Sequence, residues 1–422
     1  MVSQFRILNF LIISYFLLRF ELVNSFIPSI WFGFLLLITF FSLKVFFSMS
    51  VQEYNFLLKK NIWILISLIV LLTYYFFDYG NFRLEYMINY LVNSIPFLII
   101  GYYYSIKNKD INYIILSIFS LSFLIYLPVI VQYLFSGNYS REFLKSLIFL
   151  GKENSGLIHF WPFLTTLMIF SIIISRSFFL KLNSRIVIYA SVLLLITFLL
   201  FSGYFSAIFF IIIYLLSLYF FNVNFSSFIK KFVIYSFVIY LFVFAASKYL
   251  SGTISEKSNA FYNIVNSGFI FDETLLNLAT SNRFSAGIYS LLQFIEKPLY
   301  GHGIFNEATT NKMMLIESYS TASGGHSFFL DLLAFMGVFS IPIFLIYLYF
   351  IKYANKLSKL SINTSYYKYH LSIYSILVAI FISNIANSWL LFSSFDNFIF
   401  LIGGYTCGKL FLLTNPNKSI VS

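Results

Sequence analysis

Residues 112–135 read NYIILSIFSLSFLIYLPVIVQYLF and contain no charged side chain. An α-helix needs about 20 consecutive, mostly apolar residues to cross the hydrocarbon core of a bilayer. This segment meets that requirement, and it lacks the alternation of apolar and polar residues that a barrel strand requires. It therefore predicts a transmembrane helix.

Apolar residues dominate the whole 422-residue chain in the same way. Hydrophobic residues make up 60% of it and charged residues only 10%, and the mean hydropathy is +0.87. A soluble domain has about 25% charged residues, so this composition excludes a soluble enzyme, a nucleic-acid-binding protein and a disordered scaffold. We therefore predict an all-α polytopic helical bundle integral to a membrane, in which residues 1–422 form a single transmembrane domain.

About twelve segments satisfy the length criterion for a transmembrane helix. Polar residues, glycine or proline separate them, as expected of turns. The first is not expected to be a cleavable signal peptide, because Arg19 and Glu21 follow it and no small-residue cleavage site is present. The predicted spans are 5–21, 27–48, 62–78, 86–104, 112–135, 157–175, 186–202, 205–222, 232–250, 326–351, 371–392 and 395–413.

Positively charged residues are shared unevenly between the two sides of such a bundle. With both termini on one side, that side carries 17 of the 27 Lys and Arg residues and two acidic residues, a net charge of +15. The opposite side has a net charge of −3. Cytoplasmic loops are enriched in Lys and Arg, so both termini are predicted to be cytoplasmic. The overall charge of +12 thus reports topology and requires no nucleic-acid partner.

This orientation leaves two sizeable segments on the external side. The longer one, 251–325, connects the ninth and tenth spans, and the shorter one, 136–156, connects the fifth and sixth. Loops longer than about 15 residues are uncommon unless they are functional or disordered. The longer segment mixes apolar runs with spaced charges, so we expect it to contain short helices that fold over the bundle.

Ionisable residues are almost absent from the predicted spans, which argues against a proton- or ion-coupled pump. Among the four histidines, His326 follows two glycines and begins the tenth span. A helix N-terminus disfavours the imidazolium form, so His326 is a candidate proton acceptor or, alternatively, a polar anchor of the helix. His370 is expected to be solvated near Lys368, and His159 to be an interfacial histidine or a site residue.

Several other external residues are candidates for binding an anionic ligand. Arg283 opens an apolar stretch that runs to Pro298, where its guanidinium would either hold a phosphate with two hydrogen bonds or be solvated. Asp331, five residues beyond His326, would either orient that histidine or contact water. Basic residues exported to a net-acidic face also suggest an anionic ligand, and on the shorter external segment these are Arg141, Lys145 and Lys152.

The usual motifs of metal and nucleotide chemistry are missing from the sequence. It has no HExxH, no GxSxG, no glycine-rich phosphate loop before a lysine and no external DxD pair. The single cysteine, Cys407, excludes a disulfide framework and a thiolate metal cluster. We therefore expect neither a metal ion nor a cofactor.

Three stretches carry a resemblance to a known family. Residues 149–156, FLGKENSG, resemble the Gly/Asn-containing start of a middle span; residues 283–303 resemble an R…P-x-x-G-x-G pattern; and residues 326–337, HSFFLDLLAFMG, resemble an H-N-x-x-L…G element. With this topology, the chain resembles the bacterial O-antigen polymerase (Wzy) and O-antigen ligase superfamily. Its members are multi-span proteins of the inner membrane with one long periplasmic loop in the C-terminal half.

Two positions depart from the family pattern. Ser327 follows His326 where the family often has asparagine, and Tyr204 or Phe205 stands in a turn that often carries an arginine. Ligases rely on that arginine to hold the lipid diphosphate. Its absence favours the polymerase, which then needs another phosphate ligand in this chain.

The resemblance implies glycan transfer from undecaprenyl diphosphate to a hydroxyl of another lipid-linked repeat unit at the periplasmic face. Arg283 and His326 are the expected catalytic residues, the first stabilising the departing diphosphate and the second positioning or deprotonating the acceptor. A membrane lipid and a chain-length regulator are the expected partners beside the lipid-linked oligosaccharide. The expected substrate-binding residues are Arg141, Lys152, Gly301, His302, Gly303 and Asp331, with the glycines of the Gly-His-Gly sequence shaping the backbone.

Two other functions remain open at this point. An O-antigen ligase performs the same chemistry with lipid A–core as the acceptor. A lipid-linked oligosaccharide flippase has a similar length and span number, but it should have two comparable six-span halves and cationic residues in a membrane cavity. The sequence has neither feature, and the 251–325 segment breaks the symmetry.

Overall fold

A computed structural model provides the structure of the chain. It describes residues 2–19, 30–77, 82–138, 141–149, 152–153, 161–177, 182–201, 205–222, 259–260, 262–264, 283–301, 328–384 and 393–415. All structural statements below concern these residues.

The described chain is helical apart from one short strand pairing. Strand β1 (Ile148–Phe149) pairs antiparallel with β2 (Lys152–Glu153) inside the 136–156 segment. A 3₁₀ segment, Gly337–Ser340, links α12 to α13. The helices are α1 (Val2–Arg19), α2 (Ile30–Ser48), α3 (Val51–Lys60), α4 (Ile62–Phe77), α5 (Phe82–Ile106), α6 (Asn112–Phe135), α7 (Arg141–Ser146), α8 (Trp161–Ser177), α9 (Leu182–Phe201), α10 (Phe205–Asn222), α11 (Arg283–Glu296), α12 (Phe328–Met336), α13 (Ile341–Leu360), α14 (Tyr367–Ser383) and α15 (Ser393–Thr414).

A helix lies at every predicted span except 232–250, which falls outside the described residues. Four helical stretches are long and apolar enough to cross a membrane, and α3 with α4 forms a fifth if this pair, bent by 58°, is one span. The described part of the chain is therefore almost entirely helical, and its apolar helices are typical of a membrane-embedded bundle. The total of twelve spans stays a prediction. The four stretches are Ile30–Ser48, Asn112–Phe135, Phe329–Leu360 and Asp396–Thr414.

Helix α2 exposes large apolar side chains over most of its surface. Only 22% of its apolar window is buried, and Phe40 and Phe47 are 68% and 81% exposed. Soluble proteins rarely leave contiguous apolar surface of this kind in water. A hydrocarbon environment around α2 accounts for it.

The centre of the bundle contains a very close crossing of α5 and α15. A Cβ atom added to Gly101 of α5 would overlap the Leu401 carbonyl oxygen, and one added to Gly404 of α15 would overlap the Leu98 carbonyl oxygen. One turn further on, a Cβ at Gly408 would lie 2.8 Å from the Tyr102 carbonyl oxygen. Small residues four apart allow helix backbones to touch in this way in membrane bundles.

Hydrogen bonds at one end of the bundle involve Asp110 and Lys60, which the charge distribution assigns to the cytoplasmic side. The Tyr405 hydroxyl donates to Asp110 Oδ1 at 3.0 Å, and the Tyr353 hydroxyl donates to the Lys60 carbonyl oxygen at 2.7 Å. Helices separated widely in sequence thus bring the predicted same-side ends together, as an up-and-down bundle requires.

The prediction that His370 is solvated is wrong. Helix α14 begins at Tyr367, four residues before the predicted span, and residues 369–377 are all buried. His370 is only 7% exposed, and its ring lies 5.8 Å from that of Tyr369. Its position inside a packed helix, rather than on a loop beside Lys368, accounts for the difference.

Candidate functional site

The residues nominated by the sequence fall into three groups in the structure. Those outside the described residues are His159, His302, Gly303 and His326. Those described by their backbone position alone, at the start of α7, in β2 and at the start of α11, are Arg141, Lys152 and Arg283. The side-chain surroundings of the remaining two, Gly301 and Asp331, are defined. Each of these residues contacts the other motif segment.

The turn after α11 and the end of α12 are locked together through two glycines. Gly301 has φ = +67° and Gly337 has φ = +58°, a region that favours glycine. A Cβ at Gly301 would overlap the Phe335 carbonyl, and one at Gly337 would lie 2.5 Å from the Pro298 carbonyl oxygen. The Val338 N–H donates to that same oxygen at 2.9 Å. We call residues 298–301 and 335–338 together the glycine clasp.

Tyr74 of α4 holds the glycine clasp from the side. Its hydroxyl lies 3.0 Å from the Tyr300 carbonyl oxygen and 3.2 Å from the Met336 carbonyl oxygen. One hydrogen is therefore shared between the two halves of the clasp. The Tyr74 ring also packs against that of Phe339, at 6.0 Å between centroids. The clasp is thus fixed to a neighbouring helix of the bundle.

A buried hydrogen bond joins α11 to α12 a few turns away from the clasp. The Ser290 hydroxyl donates to Asp331 Oδ1 at 2.8 Å. Ser290 is 5% exposed, Asp331 7% and the nearby Gln293 6%. The alternative in which Asp331 simply contacts water is therefore wrong, because the carboxylate faces the helix that begins at Arg283.

Aromatic packing connects α12 to the centre of the bundle. The Phe329 ring lies 4.9 Å from that of Phe344, 4.6 Å from that of Phe381 and 6.0 Å from that of Tyr347. Phe329 is in the first turn of α12, three residues after His326 in the sequence. The start of α12 is thereby anchored against α13 and α14.

Tyr347 also belongs to a fully buried polar network that no predicted site residue shares. Its hydroxyl donates to Asp396 Oδ1 at 2.7 Å, and the Ser94 hydroxyl lies 2.6 Å from Asp396 Oδ2. The Ser94 hydroxyl is also 2.7 Å from Asn397 Oδ1, and Asn397 Nδ2 donates to the Tyr15 hydroxyl at 2.5 Å. The network joins α1, α5, α13 and α15, and we call these five residues the polar core.

Counting hydrogens restricts the chemistry of the polar core. Ser94 has one hydroxyl hydrogen and two close oxygen neighbours, so it either shares that hydrogen between them or donates to one and accepts from the other. In the second case, the donor to Ser94 is either a protonated Asp396 or the Asn397 amide group turned so that its NH₂ faces Ser94.

Sequence reasoning missed the polar core because it assigned Asp396 to the external side. Asp396 and Asn397 are both 0% exposed. The available signal was their adjacency at the start of an otherwise apolar span, since an ionisable residue inside a membrane span is a candidate functional residue by default. Their partners, Ser94 and Tyr347, gave no such signal, because isolated hydroxyl residues are common in spans.

Within the described ranges, no group of three or more His, Cys, Asp or Glu side chains is arranged to hold a metal ion. The sequence matches no protein-family model and no curated protein. The site is therefore interpreted from its own residues and from the sequence resemblance.

Proposed function

We propose that the chain is a polymerase of a bacterial surface polysaccharide, such as O-antigen, that joins undecaprenyl-diphosphate-linked repeat units at the periplasmic face. In this proposal the protein spans the inner membrane about twelve times with both termini in the cytoplasm. The reaction is glycosyl transfer, and neither a metal ion nor a nucleotide takes part.

The proposed step is a single displacement at the anomeric carbon of the donor. The bond between that carbon and the diphosphate oxygen breaks, and its electron pair leaves with undecaprenyl diphosphate. The acceptor hydroxyl oxygen forms the new glycosidic bond and loses its proton to His326. Arg283, assisted by Arg141 or Lys152, stabilises the negative charge that develops on the leaving diphosphate. The configuration at the anomeric carbon inverts.

The glycine clasp is the observation that supports this proposal most strongly. Arg283 and His326 lie on two separate motif segments, and the described parts of both segments are joined by the clasp and by the Ser290–Asp331 hydrogen bond. An enzyme that uses both residues needs their segments held together, because catalytic groups must keep a productive geometry. The fixed attachment to Tyr74 serves the same requirement.

The experiment uses the native host with the gene deleted and variants supplied on a plasmid. Arg283→Ala and His326→Ala should abolish the ladder of long-chain glycan on gels. Arg283→Lys keeps the charge but loses the bidentate hydrogen bonding of the guanidinium, so it should shorten the ladder without abolishing it. Lys297→Ala is the matched control, since this exposed basic residue lies in the same external segment.

Two results would contradict the polymerase. A normal ladder from stably expressed Arg283→Ala and His326→Ala variants would remove these residues from the chemistry. A deletion strain with no glycan attached to lipid A–core would favour the ligase, whereas loss of a polymerase leaves single repeat units attached.

A further inference from the structure

Helix α11 has an unusual distribution of polar and apolar side chains in its C-terminal half. Its buried residues there are polar, Ser290 and Gln293, at 5% and 6% exposure. Its exposed residues include Leu291, Leu292 and Ile295, at 44%, 58% and 62% exposure. The arrangement is the reverse of a helix that covers a protein in water, where the apolar stripe faces the core.

The helical repeat places these apolar residues on one side. At about 100° per residue, Leu291, Ile295 and Leu292 cover one arc, and Ser290 and Gln293 cover the opposite one. Leu299, 64% exposed, follows in the turn after the helix. We call Leu291, Leu292, Ile295 and Leu299 the outer stripe.

Apolar side chains of the membrane-spanning part of the bundle are exposed near the end of α11. The glycine clasp fixes the end of α11 beside α4 and beside the 3₁₀ segment after α12. There, Phe76 of α4 is 75% exposed, and Phe339 and Ile341 are 47% and 44% exposed. Phe339 and Ile341 lie within Phe329–Leu360, one of the stretches apolar enough to cross a membrane.

We propose that the outer stripe of α11 lies against lipid acyl chains, with the exposed Glu296 and Lys297 at the end of the helix reaching the aqueous interface. Burial of polar side chains and exposure of leucine and isoleucine suit a hydrocarbon solvent, in which the hydrophobic effect does not drive apolar side chains inward. The inference goes beyond the proposed activity and holds whether or not the chain transfers glycans. It assigns the outer stripe, within a segment that the sequence predicts to contain short helices folded over the bundle, to a surface that contacts lipid.

Spin labels report this environment directly. In a Cys407→Ala background, single cysteines at Leu292 and Ile295 are labelled and the protein is reconstituted in nanodiscs of phosphatidylethanolamine and phosphatidylglycerol. Oxygen concentrates in hydrocarbon and a nickel chelate concentrates in water, so collisions with oxygen should exceed those with nickel several-fold. Phe40→Cys, on the exposed face of α2, is the control for lipid, and Lys359→Cys, at the exposed end of α13, is the control for water.

The outcomes decide between lipid and its alternatives. A ratio of oxygen to nickel collision rates at residues 292 and 295 that matches the ratio at Phe40→Cys supports the proposal. A ratio that matches the one at Lys359→Cys overturns it. Low collision rates with both reagents, together with dipolar broadening between copies, would overturn it in favour of a dimer interface. Cysteine at exposed positions leaves the packed core untouched, and a single symmetric elution peak confirms that each labelled variant is folded.

Discussion

Gly301 and Gly337 each pack against the backbone of the segment that contains the other. Gly301 lies against the carbonyl of Phe335, and Gly337 against the carbonyls of Pro298 and Leu299. Both have positive φ, so each glycine satisfies a conformational and a steric requirement at once. This reciprocal contact makes the α11–α12 junction a rigid unit and not a loose connection.

The first prediction is that Gly301→Ala destabilises the protein for two reasons, the positive φ of this residue and its close contact with the Phe335 backbone. A non-glycine residue held at positive φ costs about 1–3 kcal/mol, and the added methyl group would overlap the Phe335 carbonyl, which cannot move without disturbing the clasp. We expect a lower midpoint of thermal unfolding in detergent and a shorter glycan ladder.

Two other glycines separate the conformational cost from the steric one. Gly137 has φ = +69° but open space around its Cβ position, so Gly137→Ala should lower stability by the conformational cost alone. Gly33 lies within α2 with nothing within 4 Å, so Gly33→Ala should stabilise the protein slightly, by up to about 1 kcal/mol. If Gly301→Ala and Gly137→Ala lower the stability by the same amount, the close backbone contact at the glycine clasp is contradicted.

The second prediction concerns the hydrogen bond between Ser290 and Asp331. Ser290→Ala leaves a buried carboxylate oxygen without the Ser290 hydroxyl, and losing a hydrogen bond to a charged group costs about 1.5–3 kcal/mol. We expect lower thermal stability and weakened polymerisation, because α11 carries Arg283. Ser290→Thr keeps the hydroxyl and should restore much of the activity.

Ser191 provides the matched control for that substitution. The hydrogen bond defined for its hydroxyl stays within its own helix, because the acceptor is the Val187 carbonyl oxygen. Ser191→Ala should therefore leave both stability and the glycan ladder near wild type. A Ser290→Ala protein with an unchanged ladder and unchanged stability would show that α11 does not depend on Asp331 for its position.

The length of the apolar segments predicted the described helices well, because a bilayer requires every spanning segment to satisfy its own backbone hydrogen bonds. Span 112–135 coincides with α6 in both bounds. Helix ends were predicted less well, and α14 starts four residues early. Nothing in the sequence alone indicated that α13 continues to Leu360, since Lys352, Lys356 and Lys359 resemble a loop when read only as charges.

Only those residues of the candidate site that belong to a recognisable sequence motif could be predicted. The glycines and Asp331 stood out in their motifs, but their partners did not: Tyr74 and Ser290 are ordinary residues in apolar stretches. Their importance comes from tertiary contacts between segments more than 40 residues apart, which a single sequence does not reveal. Asp396 was missed for a related reason, since a position at the end of a span does not determine whether the side chain faces water or the core.

The third prediction uses Cys407 as a reporter of unfolding. It is the only cysteine, it is 0% exposed, and its Sγ lies 3.9 Å from Asn61 Nδ2. A maleimide should react with it slowly in the folded protein and rapidly in denaturing detergent. Ser136→Cys in a Cys407→Ala background, at an exposed helix end, should react rapidly in both conditions. Rapid labelling of Cys407 in the folded protein would contradict the tight α5–α15 crossing.

The fourth prediction is that Asp396 and Tyr347 are energetically coupled through their hydrogen bond. Tyr347→Phe keeps the ring that packs on Phe329 and removes only the hydroxyl that donates to Asp396 Oδ1. Asp396→Asn keeps the shape but replaces one carboxyl oxygen by an NH₂ donor. Residues in one hydrogen-bond network have coupling energies of about 0.5–3 kcal/mol, so the double variant should lose less stability than the two single losses together.

Tyr353 is the control for that cycle, because its hydroxyl donates to the Lys60 carbonyl oxygen at the opposite end of α13 from the 3₁₀ segment. In the described part of the chain, the hydrogen bonds defined for Asp396 and for Tyr353 involve different partners, so the effects of Asp396→Asn and Tyr353→Phe on the unfolding midpoint should add. If the stability losses of Asp396→Asn and Tyr347→Phe simply add, the hydrogen bond between the two side chains contributes no coupling energy. Asp396→Ala should be the most damaging single change, because it leaves both the Ser94 and the Tyr347 hydroxyls without the carboxylate in an apolar core, where an unmade hydrogen bond costs more than in water.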